Sequence, residues 1–381
     1  AGARSVVKER ALTLIDTFHH ISQQITDFQQ DMDANVRVRI HQVNVYAEQL
    51  KDLNAQIKRG EVAGDNPNDL RVKRDAIIDE LSKIVSVRVV ESKDPLFTDR
   101  EVNFFKVIIG NEIKEPQQVL VNDSTMYLLD EPVPDATGSF AEVNWAADPN
   151  NPNSGAAVDL GDKMGILQAN IDMRGDIDGL GGYLTQLREQ YDNLAKGIVD
   201  AVNFLHRLGQ GLTKDAGKVG IDFFTSSDGG VVTAANISLN EVIDSDPGSI
   251  ATGKIDAQIN LGDTSIAAAI SGLFGGWSTL KDNGFDFSGG NPVDGASFGD
   301  YYGANVAKMG VDVQQANRMK EGQDVLVTHM YNQRESYSGV SLDEEMTNLV
   351  KFQKSYSAAA RMVTIMDDLL DTIVNRMGMT R

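Results

Sequence analysis

The sequence predicts an α+β protein that is mainly α. It is expected to form an elongated, discontinuous long-helix bundle built from both ends of the chain, with β-rich inserted domains and a C-terminal coiled-coil helix. Three observations carry this. An apolar stripe with alternating three- and four-residue spacing runs from Leu14 to Ile57. Short β-branched and aromatic runs between turn residues follow, from Ser86 to about Asp159. A second long stripe, opened by a helix-capping sequence, occupies the end of the chain from Ser341.

The first element reads as one helix from about Ser5 to Arg59, with Gly60 as its C-cap. Leu14, Phe18, Ile21, Ile25, Phe28 and Met32 share a face. The stripe then slips by one residue, as at a coiled-coil stutter, and resumes at Val36, Ile40, Val43, Ala47, Leu50 and Ile57. At 1.5 Å per residue the helix would be about 80 Å long. "DNPNDLRVKRDAIIDELSKIV" follows as a shorter capped helix with Leu70, Ile77, Leu81 and Ile84 inward.

Next, "VSVRVVE", "NFFKVIIG", "QQVLVN" and "TMYLLD" read as strands, and "DPNNPNSGA" as a loop. Helix returns at Tyr183, Leu187, Leu194, Ile198, Ala201 and Leu205, and stops at Gly209 and Gly211. A second mixed stretch precedes a last helical third with Tyr302, Val306, Met309, Val313, Ala316, Val327 and Met330 on its stripe. The expected division is 1–85, N-terminal part of the bundle; 86–160, a β-rich domain; 161–212, its middle part; 213–297, a second mixed insert; 298–337, its C-terminal part; and 338–381, the terminal helix.

The formal charge of −20 over 381 residues argues against duplex nucleic acid and against anionic membrane surfaces as partners. No apolar run approaches the roughly 18–20 residues that span a bilayer. Cysteine is absent, which removes disulfides, thiol catalysis and thiolate metal sites.

His19, His20, His41, His206 and His329 are scattered, without metal-ligand spacing. His206 follows Asn203 by one turn, and it reads as a helix-end histidine bonding the last carbonyls rather than as a ligand. "GLTKDAGKVG" has five residues where a phosphate loop has four, and Val219 where Ser or Thr would bind magnesium. "DMRGDIDGLGG" and "SGGNPVDGASFGD" are dense in Asp and Gly but lack EF-hand spacing and read as turns. No catalytic, cofactor or metal site is expected.

At the C-terminus Ser341 and Glu344 form a capping box. One register then places Leu342, Leu349, Tyr356, Val363, Leu370 and Met377 at d positions, and Met346, Gln353, Ala360, Asp367 and Val374 at a positions. Met362, Met366, Leu369 and Ile373 form a second row that one neighbouring helix would not cover. Ordering each residue costs on the order of 1.5 kcal/mol, and only the large side chains return about 1.5–3 kcal/mol each when buried. Such a segment needs a partner: the chain's own N-terminal helix, a segment preceding Ala1, or neighbouring subunits.

"RESYSGVSLDEEMTNLVKFQKSYSAAARMVTIMDDLLDTIVNRM" closely resembles the C-terminal signature of flagellar axial proteins. "LNAQIKRGEVAGDNPNDLRVKRDAIIDELSKIVSVRVV", "AVNFLHRLGQGLTKDAGKVGIDFF" and "TAANISLNEVIDSDPGSIATG" make the chain most similar, among them, to the family of hook-associated proteins at the hook–filament junction. Val72 and Lys73 depart from the residues the family commonly has there. The resemblance implies an N-terminally shortened, non-enzymatic structural protein, exported unfolded and located outside the cell in the flagellum. Its implied partners are the hook protein, the second hook–filament junction protein, subunits of its own type in a ring, and an export chaperone at the C-terminal helix. The residues implied in assembly are Leu342, Met346, Leu349, Gln353, Tyr356, Ala360, Val363 and Leu370. The alternatives are a non-flagellar fibrous or phage-tail-like coiled-coil protein, and a flagellar scaffold carrying a hydrolase insert.

Overall fold

The structure, a computed structural model, describes residues 2–97, 102–111, 113–133, 140–161, 165–175, 181–212, 217–256, 262–286, 296–339 and 341–371. It is mainly α with small antiparallel sheets, and it divides into two compact units, Ala1–Asn305 and Val306–Arg381.

Helix α1 (Gly2–Ala63) is the spine of the first unit. Its buried positions recur at three and four residues along the whole length, from Ala11 to Glu61. Gly60 is not its cap but an interior residue, with Pro67 packed 3.3 Å from where a Cβ would stand. The helix ends instead at Gly64, whose φ of 87° is left-handed. The Asp65 N–H donates to Gly60 O at 2.9 Å and the Gly64 N–H to Glu61 O at 3.0 Å, the paired bonds of a Schellman cap.

Helix α2 (Asn68–Ile84) follows, and Pro67 holds its N-cap position. Arg74 stacks its guanidinium 3.6 Å above the Phe105 ring, and Arg71 bonds Glu61 of α1 at 2.6 Å. The departures Val72 and Lys73 are exposed and leave those contacts intact.

The four expected strands are β1 (Val87–Lys93), β2 (Asn103–Ile109), β3 (Val119–Asn122) and β4 (Thr125–Met126). They form one antiparallel sheet in chain order, with Val89 opposite Val107 and Val107 opposite Val121. The sheet and Trp145 close a core on Val36, Ile40, Val43, Ala47 and Leu50 of α1.

The chain returns through α3 (Ile166–Arg174) and α4 (Tyr183–Arg207). Helix α3 carries no stripe long enough to read from sequence. A second core forms where Ala11, Ile15 and Phe18 of α1 meet Leu194, Val199 and Leu205 of α4. It is closed by a mixed insert: β5 (Gly209–Gln210), β6 (Phe224–Ser226), β7 (Ile237–Leu239), α5 (Glu241–Ser245), β8 (Gly253–Lys254), α6 (Ser265–Gly272) and α7 (Ser278–Asp282). Gly209 and Gly211 do more than stop α4: a Cβ on Gly211 would lie 2.2 Å from Gly248 O, so glycine lets the two backbones touch. Helix α8 (Phe298–Ser338) starts in this unit and α9 (Leu342–Asp371) lies in the second.

Between its two cores α1 buries polar groups, and here the sequence reading is corrected. Phe28 is exposed and Leu14, Ile21 and Met32 are only half-buried, whereas Ile15, Ser22, Gln29 and Asp33 face inward. The reason is a polar network. The Asp33 carboxylate accepts from the Ala141 N–H at 2.7 Å and from Arg37 Nε at 2.8 Å, and it pairs with the buried guanidinium of Arg174. Gln29 Nε2 donates to Arg174 O at 2.8 Å, and Gln29 Oε1 accepts from Arg188. Two successive four-residue steps, Ile25 to Gln29 to Asp33, carry the stripe across this polar junction.

Removing the Asp33 carboxylate leaves Arg174 buried without this counter-charge, which costs about 3–5 kcal/mol. Asp33→Ala is therefore expected to lower the urea-unfolding stability by that amount. Phe28→Ala, on the exposed face, is expected to change it by about 0.5 kcal/mol or less.

Candidate functional site: the terminal helix

Ser341 begins the site. Its Oγ accepts from the Glu344 N–H at 3.4 Å and its carbonyl from the Glu345 N–H at 3.0 Å, so it caps α9 as the sequence implies. Asp343, Glu344 and Glu345 fill the first turn, where the helix dipole favours negative charge.

All eight candidate residues lie on α9, and their spacing of four and three puts them on one stripe. Leu342, Met346, Leu349, Tyr356, Val363 and Leu370 are between 58% and 83% exposed, and Gln353 and Ala360 are exposed as well. Met362, Met366 and Leu369 of the second row are equally bare. Val374 and Met377, and Ile373 of the second row, lie outside the described residues.

Phe352 is a residue the heptad reading passed over. It is exposed and, with Leu349, Gln353 and Tyr356, lines a shallow open hollow on this helix. Its signal was the aromatic repeat with Tyr356 at i+4, on the edge of the stripe rather than on it. Along α8, Met319, Val325, Met330 and Tyr331 are exposed in the same manner. Six large apolar residues on one bare stripe is far from the singly scattered exposure of ordinary surfaces.

The other singled-out residues serve the fold. Asn203 and His206, one turn apart on α4, bind the insert back to its helix. Asn203 Oδ1 accepts from the Phe223 and Phe224 N–H groups at 2.9 Å each, and Nδ2 donates to Phe224 O at 2.8 Å. His206 does not bond the last carbonyls of α4. Its Nε2 accepts from the Ala251 N–H at 2.9 Å, which leaves Nδ1–H to donate to Ile221 O at 2.7 Å. Burial pulls this imidazole below its usual range.

His19 Nε2 lies 2.8 Å from Ile237 O and His41 Nδ1 3.0 Å from Glu131 Oε1, while His20 and His329 are exposed. Among the described residues no group of three or more His, Cys, Asp or Glu could hold a metal ion, and no helix is long and apolar enough to cross a membrane. Parts of "GLTKDAGKVG", "DMRGDIDGLGG" and "SGGNPVDGASFGD" lie outside the described residues. An apolar cavity of about 530 Å³ opens at the start of α1, lined by Val7, Leu14, Ile198, Phe223 and Ile270. Arg4 also lines it and donates to Ile250 O at 3.2 Å and to Thr252 Oγ1 at 2.8 Å.

Long helices, small antiparallel sheets and an exposed apolar stripe on α9 define a class of mainly helical structural protein. Comparison with known proteins gives the class its family. The model of the flagellar hook-associated protein FlgK helical domain matches residues 1–224, more than half of the chain. That of the flagellar basal body rod FlgEFG protein C-terminal region matches residues 332–377, which include α9. The chain belongs to the FlgK family of flagellar hook-associated proteins, structural components of the flagellum.

Flagellar hook-associated protein 1 of Bacillus subtilis is 29% identical over 396 residues, covering 99% of this chain and 72% of the relative. The protein of that name from Escherichia coli is 24% identical, covering 98% of this chain and 76% of the relative. The structure of the flagellar hook junction protein FlgK from Burkholderia pseudomallei aligns with a TM-score of 0.45 and 21% identity, over 59% of this chain and 36% of that one.

Two outcomes follow from the site. Amide hydrogen exchange of the purified chain is expected to be fast from Leu342 to Asp371, because a lone exposed helix is marginal, and slow in the two cores of α1. Below about pH 6.5 the unfolded chain binds a proton that folded His206 refuses, so stability falls as pH drops from that point. Asp192 and Asp200, pushed up by burial, act in the opposite sense closer to the carboxylate range. His206→Gln is expected to flatten the melting-temperature slope between pH 6.5 and 5.5.

Proposed function

We propose that this chain is a structural part of the bacterial flagellum that joins hook to filament, with α9 as its axial assembly helix. The observation that carries the reading is the exposed apolar stripe of α9 from Leu342 to Leu370, interrupted by Gln353 and Asp367. Each large side chain on it gains about 1.5–3 kcal/mol when buried, a gain realised only in a joint. Two apolar rows on one helix call for more than one neighbour, as in a tube wall or ring. Gln353 on the stripe sets a polar register within the seam.

The partners in this reading are the hook protein on one side, the second hook–filament junction protein on the other, and subunits of the same type around a ring. Before assembly an export chaperone covers α9 in the cytoplasm, and the finished part stands outside the cell. The role is mechanical and requires no catalysis.

A single charge on the seam tests this. Leu349→Asp leaves the body of the protein untouched, so its melting temperature is expected to stay within about 1 °C, because the residue makes no contribution to the cores. In cells whose own copy is deleted, the variant is expected to fail to restore motility while still being produced at normal levels. Restored motility with the variant present in purified flagella overturns the role of α9.

A further inference from the structure

Helix α7 ends on the one Asn–Gly step in the sequence, Asn283–Gly284. The fold uses the pair as a cap. Gly284 has a left-handed φ of 81°. Its N–H donates to Lys281 O at 3.1 Å and the Phe285 N–H donates to Leu280 O at 3.0 Å, the paired bonds of a Schellman motif. Asn283 Nδ2 donates to Thr279 O at 2.7 Å. Leu280 is fully buried in the core shared by α1 and α4. Phe285 packs against the same core, edge-on to Phe204 of α4 with ring centroids 5.0 Å apart. Asn283 itself is half-buried and Gly284 is exposed, so water reaches the cap.

The pair is also chemically reactive. The side-chain carbonyl carbon of an Asn and the backbone nitrogen of the next residue can close a five-membered ring. Glycine in that next position has no Cβ to shield the nitrogen or to restrict the backbone angles the ring needs. In the cap both reacting groups are engaged, Nδ2 with Thr279 O and the Gly284 N–H with Lys281 O. Cyclisation has to wait for the cap to open.

We propose that Asn283 is a modification site: opening of the α7 cap lets its side chain cyclise, and the modified residue then keeps the cap from closing. Gly284 N gives its proton to solvent base and bonds to Asn283 Cγ. The Cγ–Nδ2 bond breaks, and the nitrogen takes a proton from solvent and leaves as ammonia. Water then opens the succinimide. Cleavage between Cγ and Gly284 N leaves aspartate, and cleavage at the other carbonyl leaves isoaspartate. Amide and water become acid and ammonia, with no electron transferred. Neither product fits the cap. The aspartate offers Thr279 O no donor and sets a negative charge beside the carbonyls at a helix end. The isoaspartate lengthens the main chain by one carbon before Gly284, which pulls the two Schellman bonds out of step and Phe285 away from Phe204.

The test incubates the full chain at mildly alkaline pH, folded in buffer and unfolded in urea, and follows each Asn-containing peptide by mass spectrometry. Asn283 is expected to convert at least about tenfold faster in urea, because the folded cap is open only part of the time. Asn240, followed by Glu241, is the internal reference and is expected to lag far behind Asn283 in urea. Gly284→Ala, measured in urea where its folded-state strain does not enter, is expected to slow conversion at Asn283 by at least about tenfold. In the folded state Asn283→Asp is expected to lose hydrogen-exchange protection at the Gly284 and Phe285 amides, with the protection of Val36 to Leu50 unchanged.

Conversion at Asn240 as fast as at Asn283 in urea overturns the site. Equal rates at Asn283 in buffer and in urea overturn its control by the cap. Full protection of Gly284 and Phe285 in Asn283→Asp overturns the effect of the modified residue on the fold.

Discussion

A helix of 62 residues cannot hold itself straight in water, and that constraint organises the first unit. At 1.5 Å per residue α1 is about 93 Å long, whereas intrinsic propensity leaves isolated helices marginal. Its stability has to come from the side, along most of its length. Two separate cores supply it, one on Val36 to Leu50 against the sheet and one on Ala11 to Phe18 against α4. Helices α2, α3 and α4 and strands β3, β4 and β7 pack directly against this rod.

Apolar burial alone would let such a rod slide or rotate against its neighbours. The polar residues remove that freedom. Asn44 accepts the Leu129 N–H at 2.8 Å and donates to Leu129 O at 2.9 Å. Lys58 reaches Asp94 and Asp123 at 2.7 Å each, and Glu61 accepts from Arg71 at 2.6 Å and from the Asn103 N–H at 2.8 Å. Together with Gln29 and Asp33, these groups pin the β-rich segment and the α3–α4 return at stated heights along α1. A slip of one residue would leave several of them buried and unpaired.

Helix α9 has the same three-four spacing as α1, yet its described stripe residues are exposed. Where a stripe meets partners from its own chain it becomes core, and where it stays exposed its apolar area keeps its contact with water. Gln353 is a polar position on that exposed stripe, as Gln29 and Asp33 are on the buried one.

Much of this was legible in the residues. Period-3.6 and period-2 patterning marks the long helix, the four strands of the sheet, α4 and α9, because burial of one face imposes that period on any sequence that folds this way. The Ser341 N-cap of α9 and the three-four spacing of its apolar residues were equally readable, since they depend only on local helix geometry. Tertiary structure alone decided three things. It chose Gln29 and Asp33 over Phe28 and Met32 for the inner face, because partners more than a hundred residues away in sequence, Ala141 and Arg174, satisfy those polar groups. It moved the end of α1 from Gly60 to Gly64, where the left-handed turn aims the chain at α2. It turned His206 from a helix-end residue into a tie between two loops, Ile221 and Ala251. Periodicity records how much of a face is buried, and only the fold records against what.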